Sequence, residues 1–64
     1  MNTIDIAGFQ HHETKAAILF SINDEETDAS WLPKSQIDVY PDGKHERAVI
    51  VRMPNWLARE KGLI

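Results

Sequence analysis

The sequence predicts a mainly β domain with one short C-terminal helix. The expected architecture is a small, strongly curved antiparallel sheet or an SH3- or OB-like barrel of four to five strands. Three observations point there. Lys15 to Ile22 is apolar at both alternating sets of positions, as expected of a central or barrel strand. Turn formers recur at short intervals, in Asn23-Asp24, at Pro33 and in Pro41-Asp42-Gly43. After Pro54 the period changes, and Trp56-Leu57-Ala58 followed by Gly62 has the spacing of a short helix and its stop.

Each element follows from its residues. Ile4, Ile6 and Gly8 line one face of a first strand, Thr3 to Phe9, which the polar run Gln10-His11-His12-Glu13-Thr14 is expected to interrupt. In the second strand, Lys15 to Ile22, residues Ala16, Ile18, Phe20 and Ile22 point one way and Ala17 and Leu19 the other. Asn23 to Asp28 reads as a charged hairpin-like loop, and Ala29 to Leu32 as the returning strand. Pro33 has no N–H to give a ladder and ends that pairing. Lys34-Ser35-Gln36 forms one tight turn before a strand at Ile37 to Tyr40. Tyr40-Pro41-Asp42-Gly43 suits a type I turn, leading into Arg47 to Met53, with Ile37–Tyr40 and Arg47–Val51 as a hairpin. Pro54 has the fixed φ that suits the first helical position, Gly62 the freedom to end the helix, and Leu63 can fold back on Leu57 or Ala58. So short a helix must dock, through Trp56 and Leu57.

Sixty-four residues allow a single domain, 1–64, near the lower limit for folding alone. There is no cysteine, hence no disulfide framework, zinc ribbon or thiol nucleophile, and a reducing cytosol fits. The N-terminus lacks the basic and apolar regions of a signal peptide. The longest apolar run, Ala16 to Phe20, is far shorter than a bilayer span. A cytoplasmic chain that meets no membrane is expected. With five aromatics in so small a chain, Trp31, Phe20 and Trp56 are expected to form the core. Tyr40, beside a turn, is then the aromatic left exposed, and only the charged edges are free to act.

Net charge is −3, unevenly spread. Residues 1–32 hold six acids against one base, and residues 33–64 six bases against four acids. The acidic loop Asp24, Glu25, Glu26 and Asp28 is the first candidate site, a patch for basic groups on a protein partner. Its spacing opens like a calcium loop, but Ala29 stands where glycine is needed and Ser35 where glutamate is needed. His11 and His12 are neighbours on opposite sides of an extended chain, and His45 is remote, so no metal or other cofactor is expected. No nucleophile elbow or glycine-rich phosphate loop is present, which argues against an enzyme. The alternative site is a surface for single-stranded nucleic acid made by Lys34, Tyr40, Arg47 and Arg52, although the acidic balance weighs against it.

Ser30-Trp31-Leu32-Pro33-Lys34-Ser35-Gln36-Ile37 and Met53-Pro54-Asn55-Trp56-Leu57-Ala58-Arg59-Glu60-Lys61-Gly62-Leu63, with Ala16 to Phe20, carry a resemblance. The chain resembles small uncharacterised proteins of bacteriophages and other mobile elements. That likeness covers roughly half the chain, implies a place in a host cell's cytoplasm and supplies no active site. The expected function is a non-enzymatic, phage-type interaction module that binds a host or phage protein, one form being an inhibitor of a host defence complex. The alternatives are an accessory single-stranded nucleic-acid-binding protein of phage replication or recombination, and a homo-oligomeric structural protein.

Overall fold

One long strand organises the molecule. In the computed structural model, which describes residues 2–64, strand β1 (Thr3–Glu13) pairs with β2 (Ala17–Ser21) on one side and β5 (Ala48–Pro54) on the other. Strand β3 (Ser30–Pro33) adds beyond β2, and β4 (Asp38–Pro41) beyond β5. The five-stranded sheet has the order β3-β2-β1-β5-β4, and every pair is antiparallel. Helix α1 (Asn55–Glu60) follows β5 directly.

The sheet is curved but not closed, since the two edge strands do not pair with each other. Its curvature follows from a short connection. Only residues 34–37 separate β3 from β4, and three of them form the 3-10 turn Lys34–Gln36. That link reaches about 13 Å, because a 3-10 turn rises only about 2 Å per residue. A flat five-stranded sheet would hold its edges about 19 Å apart. The edges must therefore curl toward each other, and the inner face they enclose becomes the core.

That face carries Ile18, Phe20, Leu32, Val49, Val51 and Met53, capped by Leu57 and Ala58 of α1. Ile4, Ile6, Ile37 and Leu63 pack around it. Burying a side chain such as Leu57 contributes about 2 kcal/mol. Gly8 belongs to the inner set of β1, and a Cβ there would overlap the Ser21 carbonyl oxygen and lie 2.5 Å from Phe20 Cζ. The Phe20 ring thus packs directly on backbone. The helix stops as expected: Gly62 takes φ +72°, its N–H bonds the Arg59 carbonyl at 3.1 Å, and Leu63 N–H bonds the Ala58 carbonyl at 2.8 Å.

Five expectations need correction. The polar run after Phe9 does not interrupt β1, which continues to Glu13 with an irregularity between Gln10 and His12. Paired residues end at Phe9 opposite Ala48 and the last bond runs from Gln10 N–H to the Arg47 carbonyl at 2.9 Å, so beyond Gln10 one flank of the strand is open and polar side chains are tolerated. β2 ends at Ser21, which is buried, so Ile22 leaves the alternation and lies exposed. No reversal occurs at Tyr40 to Gly43: Tyr40 and Pro41 stay in β4 opposite Ile50 and Val49, and the chain turns within 42–47. Pro41 is accommodated because β4 is an edge strand, and Pro54 ends β5 and precedes the helix instead of opening it.

The fifth concerns the tryptophans. Phe20 is fully buried as expected, but Trp31 is 45% exposed and Trp56 52% exposed. Alternation decides the first case: Leu32, opposite Ile18, takes the inner position of β3, which leaves Trp31, opposite Leu19, outside. A six-residue helix presents one narrow stripe to the sheet, and Leu57 and Ala58 occupy it. Tyr40, also 45% exposed, is therefore one of three aromatics at the surface. Among the described residues no helix is long and apolar enough to cross a membrane.

Candidate interaction groove

The outer face of β1 and β5 is apolar near the two long loops. In register, Phe9 lies opposite Ala48, and Ala7 opposite Ile50, which in turn lies opposite Tyr40. Residues directly opposite on antiparallel strands share a face. Two loops rise beside this row. One follows β2 and brings Ile22 and Asp24; the other joins β4 to β5 and brings Asp42, Lys44 and His45. With Ala7, Gly8, Phe9 and Ala48 as floor they enclose a groove of about 430 Å³.

The walls are tied together. Arg47 donates to Asp24 at 3.0 Å, joining one loop to the other. His45 stands edge-on to Phe9 with ring centroids 6.2 Å apart, and its Nδ1 accepts the Arg47 backbone N–H at 3.1 Å. A groove held this way gives up little loop freedom when it is filled. Ser21 Oγ donates to the Asn23 carbonyl and lies 2.7 Å from His11 Nε2. The pair fastens the start of the acidic loop to β1.

The acidic loop is brought to the rim of this groove, and its carboxylates differ in their surroundings. Asp24 is paired with Arg47. Glu26 lies 3.0 Å from His12, and Asp28 accepts from the Asn23 amide at 3.3 Å. Glu25 projects from the turn that its own N–H makes on Asn23 Oδ1. All four are exposed.

Lys34, Tyr40, Arg47 and Arg52 are not brought together as one basic surface. Arg52 makes a two-pronged contact with Asp5 across the β1–β5 pair, at 2.9 and 3.3 Å, and its guanidinium lies 5.8 Å from the centre of the Tyr40 ring. Asp38 sits opposite Arg52 on the other side. Lys34 pairs with Glu13 on β1, and Arg47 with Asp24. The hydrogen bond from Arg52 holds the Asp5 carboxyl below its ordinary value, and Asp5 in turn raises Arg52. Lys34 lowers Glu13 in the same way. His11, His12 and His45 engage Ser21, Glu26 and Phe9 respectively, and no set of three or more metal-ligating side chains gathers among the described residues.

Sequence reasoning missed the groove. Ala7, Phe9, Ile22, Ala48, Asp42 and His45 come from four separate stretches, and only strand register unites them. The available signal was Ala7 and Phe9, apolar residues at the outward positions of a strand whose inward positions are also apolar.

Fold and groove together define a small mainly β domain with one C-terminal helix and an open, curved sheet. Comparison with protein-family models, curated proteins and solved structures gives no match.

Proposed function

We propose that this chain is a non-enzymatic protein-interaction module whose contact surface is the groove and the acidic loop beside it. One observation carries the reading. The groove walls carry two carboxylates, Asp24 and Asp42, against one lysine, Lys44, and the loop beyond Asp24 adds Glu25, Glu26 and Asp28, whereas Lys34, Arg47 and Arg52 each already face an acid of the same chain. Binding a phosphate backbone requires cations free to replace its counterions, and these three would first have to leave their carboxylates. A protein partner with basic groups finds Glu25 and Asp42 without an ion-pair partner among the described residues. The exposed tryptophans do not line the groove, so the reading no longer rests on charged edges alone but on an apolar floor with a charged rim.

An inhibitor that offers carboxylates to the basic site of a host defence complex is one concrete form, consistent with a phage-type origin. The test is affinity capture from host lysate, with and without nuclease, using the native chain and a variant carrying Asp24, Glu25, Glu26 and Asp28 all replaced by Lys. The expected result is a nuclease-resistant partner lost in the variant. Equal capture by both proteins, or a partner released by nuclease, removes the reading.

A further inference from the structure

The charge of this protein is concentrated at one end. Residues 23–28 hold four acids and no lysine or arginine; residues 42–47 hold Asp42 and Glu46 against Lys44 and Arg47. The two loops together carry −4 where the whole chain carries −3, so everything outside them sums to +1. The groove lies between these loops.

Within it Asp42 differs from the other wall residues. It is half-buried, yet its carboxylate makes no ion pair or side-chain hydrogen bond among the described residues. Asp24, on the other loop, is already held by Arg47. Lys44 is the one cation in the lining, exposed and on a flexible stem. Beside Asp42 the surface is apolar, with Ala7, Phe9 and Ala48 as floor and Ile22 as wall. An apolar lining that includes an unpaired carboxylate matches an aliphatic stem with a cationic tip. The volume of about 430 Å³ falls at the small end of ligand pockets, room for one long side chain and the backbone on either side of it.

We propose that the groove receives a lysine side chain from a basic segment of the partner protein, its methylenes on Phe9 and Ile22 and its ammonium on Asp42. This deepens the interaction-module reading and rests on it. The occupant follows from charge complementarity: the two flanking loops, −4 between them, disfavour nucleic acid, and an apolar floor adds nothing for an inorganic cation.

The test is a titration of the isotope-labelled chain, followed through its backbone amide resonances, with the peptide acetyl-Ser-Leu-Lys-Leu-Ser-amide. Its twin bearing Nε-acetyllysine keeps the stem and removes the charge. Saturable shifts at Ala7, Phe9 and Ala48 are expected. Affinity should fall about tenfold with the acetylated twin and about tenfold in Asp42→Asn, the loss of one charge-assisted hydrogen bond. Ala7→Phe, which fills the floor from an exposed position and leaves the loop charges intact, should abolish the shifts. The inference is overturned by an absence of saturable shifts at millimolar peptide, by equal binding of the twin, or by an Asp42→Asn affinity equal to the native one. It is also overturned if the same amides move on simple concentration of the protein, which would mark a second copy as occupant, or move with a ten-residue oligo-dT strand. Should lysate capture succeed while this titration fails, the module reading stands and the lysine groove alone falls.

Discussion

Replacing Gly8 by alanine should damage this fold more than any other change of one methyl group. Gly8 pairs with Val49 on the central strand, and the Phe20 ring lies against its Cα face. An added Cβ would lie 2.5 Å from Phe20 Cζ and 2.8 Å from Cε1, and closer still to the Ser21 carbonyl oxygen. The ring could yield only by displacing a packed core, and the carbonyl only by moving β2. Overpacking of this kind costs typically about 1–3 kcal/mol, and a backbone obstacle puts Gly8→Ala at about 3. A chain of 64 residues has a total stability of about 3–10 kcal/mol. The loss should lower the melting temperature by roughly 12–24 °C. Thermal unfolding followed by far-ultraviolet circular dichroism, with urea titration at 25 °C, measures it. Gly43→Ala is the matched control: nothing lies within 4 Å of its Cβ position, and only φ +83° opposes the change. That costs about 1–2 kcal/mol. A Gly8→Ala protein melting within about 3 °C of the native chain, or less damaged than Gly43→Ala, would refute the packing argument.

Other outcomes follow from the same fold. Leu57→Ala should cost about 2–5 kcal/mol by opening the contact between α1 and the sheet, whereas Trp56→Ala, at an exposed site, should cost less than about 1 kcal/mol; paired urea titrations decide. Iodide should quench both tryptophans in the native state, though less than after unfolding because each is about half covered, and strong protection would contradict their placement at the surface. Asp5 and Glu13 titrate below their ordinary values of 3.8 and 4.5 in the folded chain. Their contribution to stability is therefore complete above those values and is lost as pH falls through the lowered folded ones. Stability should decline in that acid range, and the Asp5→Asn, Glu13→Gln double variant should decline less steeply over the same interval.

Much of the architecture was legible because local chemistry and tertiary packing agree. The two-sided apolar β2, the β4–β5 hairpin and the Gly62 stop are each dictated by a few adjacent residues, whereas Pro33, expected to end pairing, stays in β3 opposite Ala17 and is followed by a Lys34 N–H bond to the Ala16 carbonyl. The failures are equally specific. A tryptophan carries the largest apolar surface of any side chain, yet at positions 31 and 56 the alternation of β3 and the narrow stripe of α1 gave the interior to Leu32 and Leu57. The type I turn signal at Tyr40 to Gly43 lost to continued pairing with β5, which keeps Tyr40 and Pro41 extended. Charge patterning identified the acidic loop as a distinct feature. It could not show that Asp5–Arg52 and Glu13–Lys34 are paired, because those contacts join residues 47 and 21 positions apart. The groove lay beyond sequence reasoning for the same reason.

The central proposal is that partners meet this protein at its anionic, apolar-floored end. Photo-cross-linking from two positions tests that most directly. A benzoylphenylalanine in place of Lys44 looks into the groove, and one in place of Lys61 marks the end of α1. Irradiation in host lysate should give a nuclease-resistant protein adduct from position 44 and none from position 61. An adduct formed only from position 61, or one from position 44 that nuclease dissolves, would contradict it.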